Sequence, residues 1–212
     1  IVLLPDAHLE LSGTGISDSF TGCAGQRCMA ASVLLAVGNV DAHIQKIIDR
    51  ASSLVLGKDM GALITKAQKE FLVAAIDRVE KAGGKILLDG RKAKAPAGLE
   101  EGNWLGPTIF DNIQPNTEAA TIELFGPILS IIRCKDITEA MKIENSIEYG
   151  NACSVFTSSG PLADRVVRED STGMVGVNIG VPGNPLPPGQ VKQFIPNVDD
   201  MVPNWHAPGQ WH

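Results

Sequence analysis

The sequence has no cluster of Lys and Arg that would form a basic stripe, so nothing in it points to nucleic acid. No apolar run reaches the length that spans a bilayer. A zinc pattern is also missing. The four cysteines, Cys23, Cys28, Cys134 and Cys153, fit no metal spacing, and the interval from Cys23 to Cys28 is not CxxC. Such an unpatterned set reads as reduced thiols of a cytosolic or matrix-like compartment rather than as disulfides. His206 and His212 have no companion ligands, so no metal site is predicted. Gly13-Thr14-Gly15 lacks a third glycine and a strand–turn setting, and is not counted as a dinucleotide fingerprint. Ile1 to Leu4 is apolar, but too short for a signal sequence and without basic residues before it. The chain reads as beginning inside a fold.

What is present is ordinary for a globular domain: 212 residues, 44% hydrophobic and 20% charged, with a formal net charge of -6. Short β-branched runs alternate with helical patterns. Ile1 to Leu4 reads as a strand ending at Pro5, and Ser32 to Val37 (SVLLAV) as a buried strand closed by Gly38. Asp41 is the expected N-cap of a helix with Ile44, Ile47, Ile48 and Ala51 on one face. Thr65 to Gln68 has the capping-box pattern, opening a helix with Leu72, Ala75, Ile76 and Val79 on one stripe. Gly83-Gly84 ends it. Strands are predicted at Lys85 to Leu88, Thr108 to Phe110, Ile128 to Cys134, Cys153 to Thr157 and Met174 to Ile179. A loop runs from Gly90 to Gly106. A helix is expected from Thr138 to about Asn145, and another from Pro161 to about Glu169, capped by Ser158 or Ser159. This alternation predicts an α/β domain with a mostly parallel sheet flanked by helices.

The character changes after Gly180, where seven of the thirteen prolines lie. Proline removes backbone donors and fixes φ, so residues 183–212 read as an irregular Pro-rich tail in which Trp205 and Trp211 are anchors.

The strongest local signal is Gly25-Gln26-Arg27-Cys28, between a first helical segment and the buried strand. A thiol nucleophile needs a partly open, electropositive place, and Arg27 is adjacent. Read alone, this signal is weak, and a cysteine near a strand is usually just a small buried hydrophobe.

The stretch from Phe20 to Ala30 (FTGCAGQRCMA) resembles the cysteine segment of the aldehyde dehydrogenase family, in its CoA-acylating methylmalonate-semialdehyde form. Ile122 to Pro127 (IELFGP) resembles the same family's Glu-x-Phe-Gly-Pro motif, and the two lie in family order. Asp89 to Lys92 (DGRK) and Glu101 to Ile109 (EGNWLGPTI) resemble the semialdehyde subfamily, and Tyr149 to Asn151, Val155 to Thr157 and Gly176 to Asn178 continue the likeness. It covers residues 1–182, read as a catalytic domain.

The resemblance implies an aldehyde dehydrogenase-like fold and a thioester mechanism. Cys28 would be the nucleophile, its backbone N–H helping to hold the oxyanion. Glu123 would take the nicotinamide-ribose hydroxyls, and Phe125 would pack beside the nicotinamide. NAD would accept hydride and CoA would take the acyl group. The substrate would be a small carboxylated aldehyde, with Arg27 as partner of its carboxylate or, alternatively, in an inter-loop salt bridge. Glu123 is alternatively a solvated carboxylate. Cys23 reads as inert packing or as an oxidation partner of Cys28, and Cys134 and Cys153 as core. A mitochondrial matrix location follows from the resemblance, with the cytoplasm as alternative.

The family's N-terminal NAD domain, its oxyanion-hole asparagine and its oligomer-forming arm have no counterpart here. The segment with the general-base glutamate of hydrolytic relatives would fall just ahead of Ile1, and the CoA-dependent subfamily does without it. Ser53 to Gly61 looks shortened, and Pro-Leu-Pro-Pro-Gly stands where a Gly-Ser-rich segment is expected. Hydride transfer by this chain alone is therefore not expected. The domain face left bare should be covered by a second copy, a partner chain or the tail. The alternative function is a non-catalytic, dehydrogenase-derived interaction subunit.

Overall fold

A computed structural model describes residues 1–147 and 149–180. In chain order the strands are β1 (Val2–Leu3), β2 (Val33–Val37), β3 (Lys85–Leu88), β4 (Thr108–Asp111), β5 (Ile128–Cys134), β6 (Cys153–Phe156) and β7 (Val175–Val177). The helices are α1 (Leu9–Thr21), α2 (Asp41–Ser52), α3 (Lys66–Lys81), α4 (Glu118–Thr121), α5 (Ile137–Glu144) and α6 (Gly160–Glu169). The strands form one sheet in the order β3-β4-β5-β2-β1-β6-β7. Every neighbouring pair is parallel except β3 with β4 at one edge. The predicted α/β class with a mostly parallel sheet is what the fold shows.

The central strands read as near-continuous apolar runs because both faces of the sheet are covered. Side chains alternate along a strand, so each strand feeds two cores. Leu34 and Ala36 of β2 join Leu3, Leu129 and Ile131 under α1 and α2, where Ile16, Phe20, Ile44 and Ile47 meet them. Leu35 and Val37 turn to the opposite face, with Val2, Ile128 and Ile132, against Leu72 and Ile76 of α3 and Met141 of α5.

Several sequence expectations need correction. Asp41 is not the N-cap of α2: Val40 holds that place and Asp41 is the first helical residue. Its carboxylate pairs with Arg133 Nη1 at 2.6 Å, favourable at the positive end of a helix. Thr65 does cap α3, accepting from Gln68 N at 3.1 Å. The Gln68 amide does not return to Thr65, as a full capping box requires, but donates to the carbonyls of Leu124 at 2.7 Å and Phe125 at 3.1 Å. Ser159 caps α6, whereas the Ser158 hydroxyl donates to Asp6 O at 2.7 Å. The last strand is shorter than expected because Asn178, at φ 56°, leaves the β region. The predicted tail 183–212, with Trp205, His206, Trp211 and His212, lies outside the described residues.

Candidate active site

Three loops enter three parallel strands at the same edge of the sheet. One carries Cys28 into β2, one carries Glu123 and Phe125 into β5, and one carries Asn151 into β6. This is the amino end of the strands, opposite to where doubly wound sheets usually hold ligands.

The cysteine loop is shaped by an unusual backbone. After α1, Cys23 (φ 52°), Ala24 (φ 54°) and Gly25 (φ 69°) are all left-handed, a conformation that costs roughly 1 kcal/mol or more for each non-glycine residue. At Gly25 only glycine fits. A Cβ there would lie 2.1 Å from Gly126 O and 2.2 Å from Gly126 C, so the two backbones touch directly. That contact fastens the cysteine segment to the Glu-x-Phe-Gly-Pro segment. Phe125, itself at φ 54°, is held by the Gln68 bond to its carbonyl. On the far side, the Asn151 amide donates to Cys28 O at 3.0 Å.

Together these loops surround an open cavity of about 790 Å³ lined by Arg27, Cys28, Glu123, Phe125 and Asn151. Cys28 is exposed, and Cys28 and Glu123 share the cavity. Among the described residues no donor holds the Glu123 carboxylate. Ile122 and Tyr149 also line the cavity, with 54% and 77% of their surface exposed.

Arg27 has a task that the sequence reading did not include. Its Nη2 donates to Asp18 O and Ser19 O, both at 2.9 Å, tying the cysteine loop back onto the last turn of α1. It makes no inter-loop salt bridge among the described residues. Its Nε is sealed from solvent and has no partner among them. Arg27→Gln is expected to lower stability by about 1–2 kcal/mol through loss of these charge-assisted bonds, read as a reduced urea midpoint at unchanged m.

Cys134 and Cys153 are core residues, as expected. Burial above all pushes the Cys134 thiol up to about 11 and the Cys153 thiol up to about 12. At pH 7.5 their thiolate fractions fall below roughly 10⁻³. Brief iodoacetamide treatment of the native protein should therefore modify Cys23 and Cys28 only, and denatured protein at all four positions, as read by mass spectrometry. Cys23 is exposed, and is not among the cavity's lining residues. Gly13 and Gly15 lie within α1, where they admit the Lys46 side chain and the Phe156 ring, so they form no phosphate loop.

Two contributors went unrecognised in the sequence. Gln68 was visible only as half of a capping box. Asn151 lay inside a recognised motif, without a role, because its bond to Cys28 spans 123 residues of chain.

These features are those of a cysteine-centred site on a parallel sheet. The aldehyde dehydrogenase family profile matches residues 1–192, and the chain belongs to that family. The mitochondrial acylating methylmalonate-semialdehyde/malonate-semialdehyde dehydrogenase of Rattus norvegicus is 39% identical over 184 residues, covering 84% of this chain and 34% of that protein. Malonate-semialdehyde dehydrogenase 3 of Geobacillus kaustophilus is 35% identical, covering 85% of this chain and 38% of that protein. A protein from Sinorhizobium meliloti, assigned as a methylmalonate-semialdehyde dehydrogenase and solved with NAD, superposes with a TM-score of 0.82 at 33% identity, over 85% of this chain and 38% of its own. The chain thus spans about a third of the length of these relatives. Among the described residues no helix is long and apolar enough to cross a membrane.

Proposed function

We propose that this chain is the catalytic portion of a CoA-acylating semialdehyde dehydrogenase, with methylmalonate or malonate semialdehyde as substrate. The observation that carries the reading is the backbone contact of Gly25 with Gly126, which puts Cys28 and Glu123 into one cavity. The Cys28 sulfur attacks the aldehyde carbon, and the new oxyanion lies near the Cys28 backbone N–H. Glu123 fits a nucleotide ribose because its carboxylate is exposed beside the cavity and free of donors among the described residues, so it accepts from two vicinal hydroxyls at once. Phe125 flanks the nicotinamide. NAD, when bound, supplies the hydride acceptor. The CoA thiolate then attacks the Cys28 thioester carbonyl, and the Cys28 thiolate leaves.

Arg27 Nη1, to which no protein hydrogen bond is assigned among the described residues, is the atom left for a substrate carboxylate. Unchanged selectivity for carboxylated over neutral aldehydes in Arg27→Gln would remove Arg27 from that role. A second copy or a partner chain covers the exposed Ile122 and Tyr149. The animal relatives, which are mitochondrial proteins, favour a mitochondrial location, and the bacterial relatives a cytoplasmic one. The second reading is a non-catalytic subunit derived from this family. The deciding measurement is NAD-linked and CoA-linked turnover of malonate semialdehyde by the natural protein, with Cys28→Ala as control. Absence of turnover, together with stable assembly into a larger complex, would replace the first reading by the second.

A further inference from the structure

On the cavity's inner wall, Glu144 at the end of α5 and Cys153 at the start of β6 meet Asp170, which directly follows α6. One ligand-type atom from each lies within 4.8 Å of the other two. Glu144 Oε2 and Asp170 Oδ2 are both sealed from solvent, and neither has a hydrogen-bond partner among the described residues. Two ionised carboxylates at that separation, each with one oxygen shielded from water, repel, and a single proton between them turns repulsion into a hydrogen bond. We propose that Glu144 and Asp170 share one proton and act as a pH-sensitive clamp under the loop that holds the Cys28 peptide.

Each link from the acids to the sulfur loop is a defined contact. Asp170 Oδ1 accepts from Thr172 N at 2.7 Å and from the Thr172 hydroxyl at 2.5 Å, fixing the turn after α6. Asn145 ties that turn to α5, donating to Glu169 O at 2.8 Å and accepting from Ser171 N at 2.9 Å. The turn supports the next loop: Gly173 N donates to Gly150 O at 3.1 Å, and a Cβ on Gly150 would lie 3.0 Å from Thr172 Cγ2. The adjacent Asn151 bonds Cys28 O at 3.0 Å.

The groups facing Glu144 are Asp170, the neutral Cys153 thiol, and the Ile1 ammonium ahead of β1. Burial first, and then the Asp170 charge, push Glu144 up to about 7, against the pull of the ammonium. In a chain that continues ahead of Ile1 that ammonium is absent and the proton is held more tightly. The folded state binds this proton more tightly than the unfolded state, so the clamp is intact at low pH. The stability tied to it is lost as pH rises from about 4.5 towards 7 and beyond. Above that range the Glu144 proton is gone, the turn loosens, and Asn151 releases the Cys28 peptide.

The inference shares Cys28 with the proposed function but not its chemistry, and its readouts need neither aldehyde nor nucleotide. Hydrogen exchange of residues 149–153 and 170–174, corrected for the intrinsic pH dependence, is followed from pH 5.5 to 9 in the intact protein. Cys28 alkylation is followed in parallel. In the wild type, corrected exchange should rise about threefold or more through pH 7, with an added inflection in the alkylation profile. Glu144→Gln and Asp170→Asn should each remove both, and a matching melting temperature at pH 5.5 shows that each variant is folded. A step that persists in both variants, or no step in the wild type, overturns the clamp. So does a rise in melting temperature with added Zn²⁺ or Mn²⁺ at pH 8 that Glu144→Gln abolishes, since a metal ion would then hold the acids together.

Discussion

Gly25→Ala is expected to lose about 3 kcal/mol or more of stability, combining left-handed strain with overpacking. The methyl group would stand 2.1 Å from a carbonyl oxygen, and that oxygen belongs to backbone that cannot swing aside like a side chain. Gly126 has no room to retreat, because its own added Cβ would lie 2.3 Å from Leu72 Cδ1 of α3, a fully buried residue. Relief must come from parting the Cys28 loop from the loop entering β5. The variant should therefore show a lowered denaturation midpoint and a widened cavity together. Gly61→Ala is the control, since nothing lies within 4 Å of its notional Cβ, and a change within about 0.5 kcal/mol is expected there. A near-neutral Gly25→Ala would mean that the two motifs are not fastened through this contact.

Cys28→Ala and Glu123→Gln are expected to fail in different ways. Removing the sulfur removes the atom that forms the covalent intermediate, so turnover should fall by roughly 10⁴-fold or more. The melting temperature should scarcely change, because Cys28 is exposed. Glu123→Gln keeps the shape and removes the charge from a paired acceptor. A hydrogen bond to a charged group contributes about 1.5–3 kcal/mol, so apparent NAD affinity should weaken by about ten- to a hundredfold. Alkylation of Cys28 should continue at the wild-type rate. If Glu123→Gln left NAD dependence unchanged, the ribose role would fall while the nucleophile role stood.

Some elements were legible because one physical signal decided them. VLLAV in β2 is apolar throughout because both of its faces are buried, and no helical reading competes over so short a run. The stripe Leu72, Ala75, Ile76 and Val79 declared α3. The bounds of α1 were not legible, because Gly13, Gly15 and several serines argue locally for a loop. Tertiary packing overrides them: Gly15 makes room for Phe156, and the Ser17 hydroxyl bonds Ile47 O at 3.2 Å. At the site, Cys28, Glu123 and Phe125 were legible through family resemblance. Their meeting was not, since it rests on two glycines about a hundred positions apart whose only signature is the absence of a side chain. The acid pair under the Asn151 loop was invisible for the same reason. Neither Glu144 nor Asp170 looks unlike a surface acid until α5 and α6 end beside each other.

The place of β1 in the sheet bears on biosynthesis. β1, made before both of its neighbours, lies between β2 and β6, and it is latched to β6 by Thr157 and Ser158 donating to Asp6. Until some 150 further residues have been translated, β1 has one bare edge and a row of unpaired peptide groups. A nascent or prematurely terminated product that stops short of β6 should be prone to edge-to-edge aggregation and dependent on chaperones. Completion of the β1–β6 pair then closes that edge.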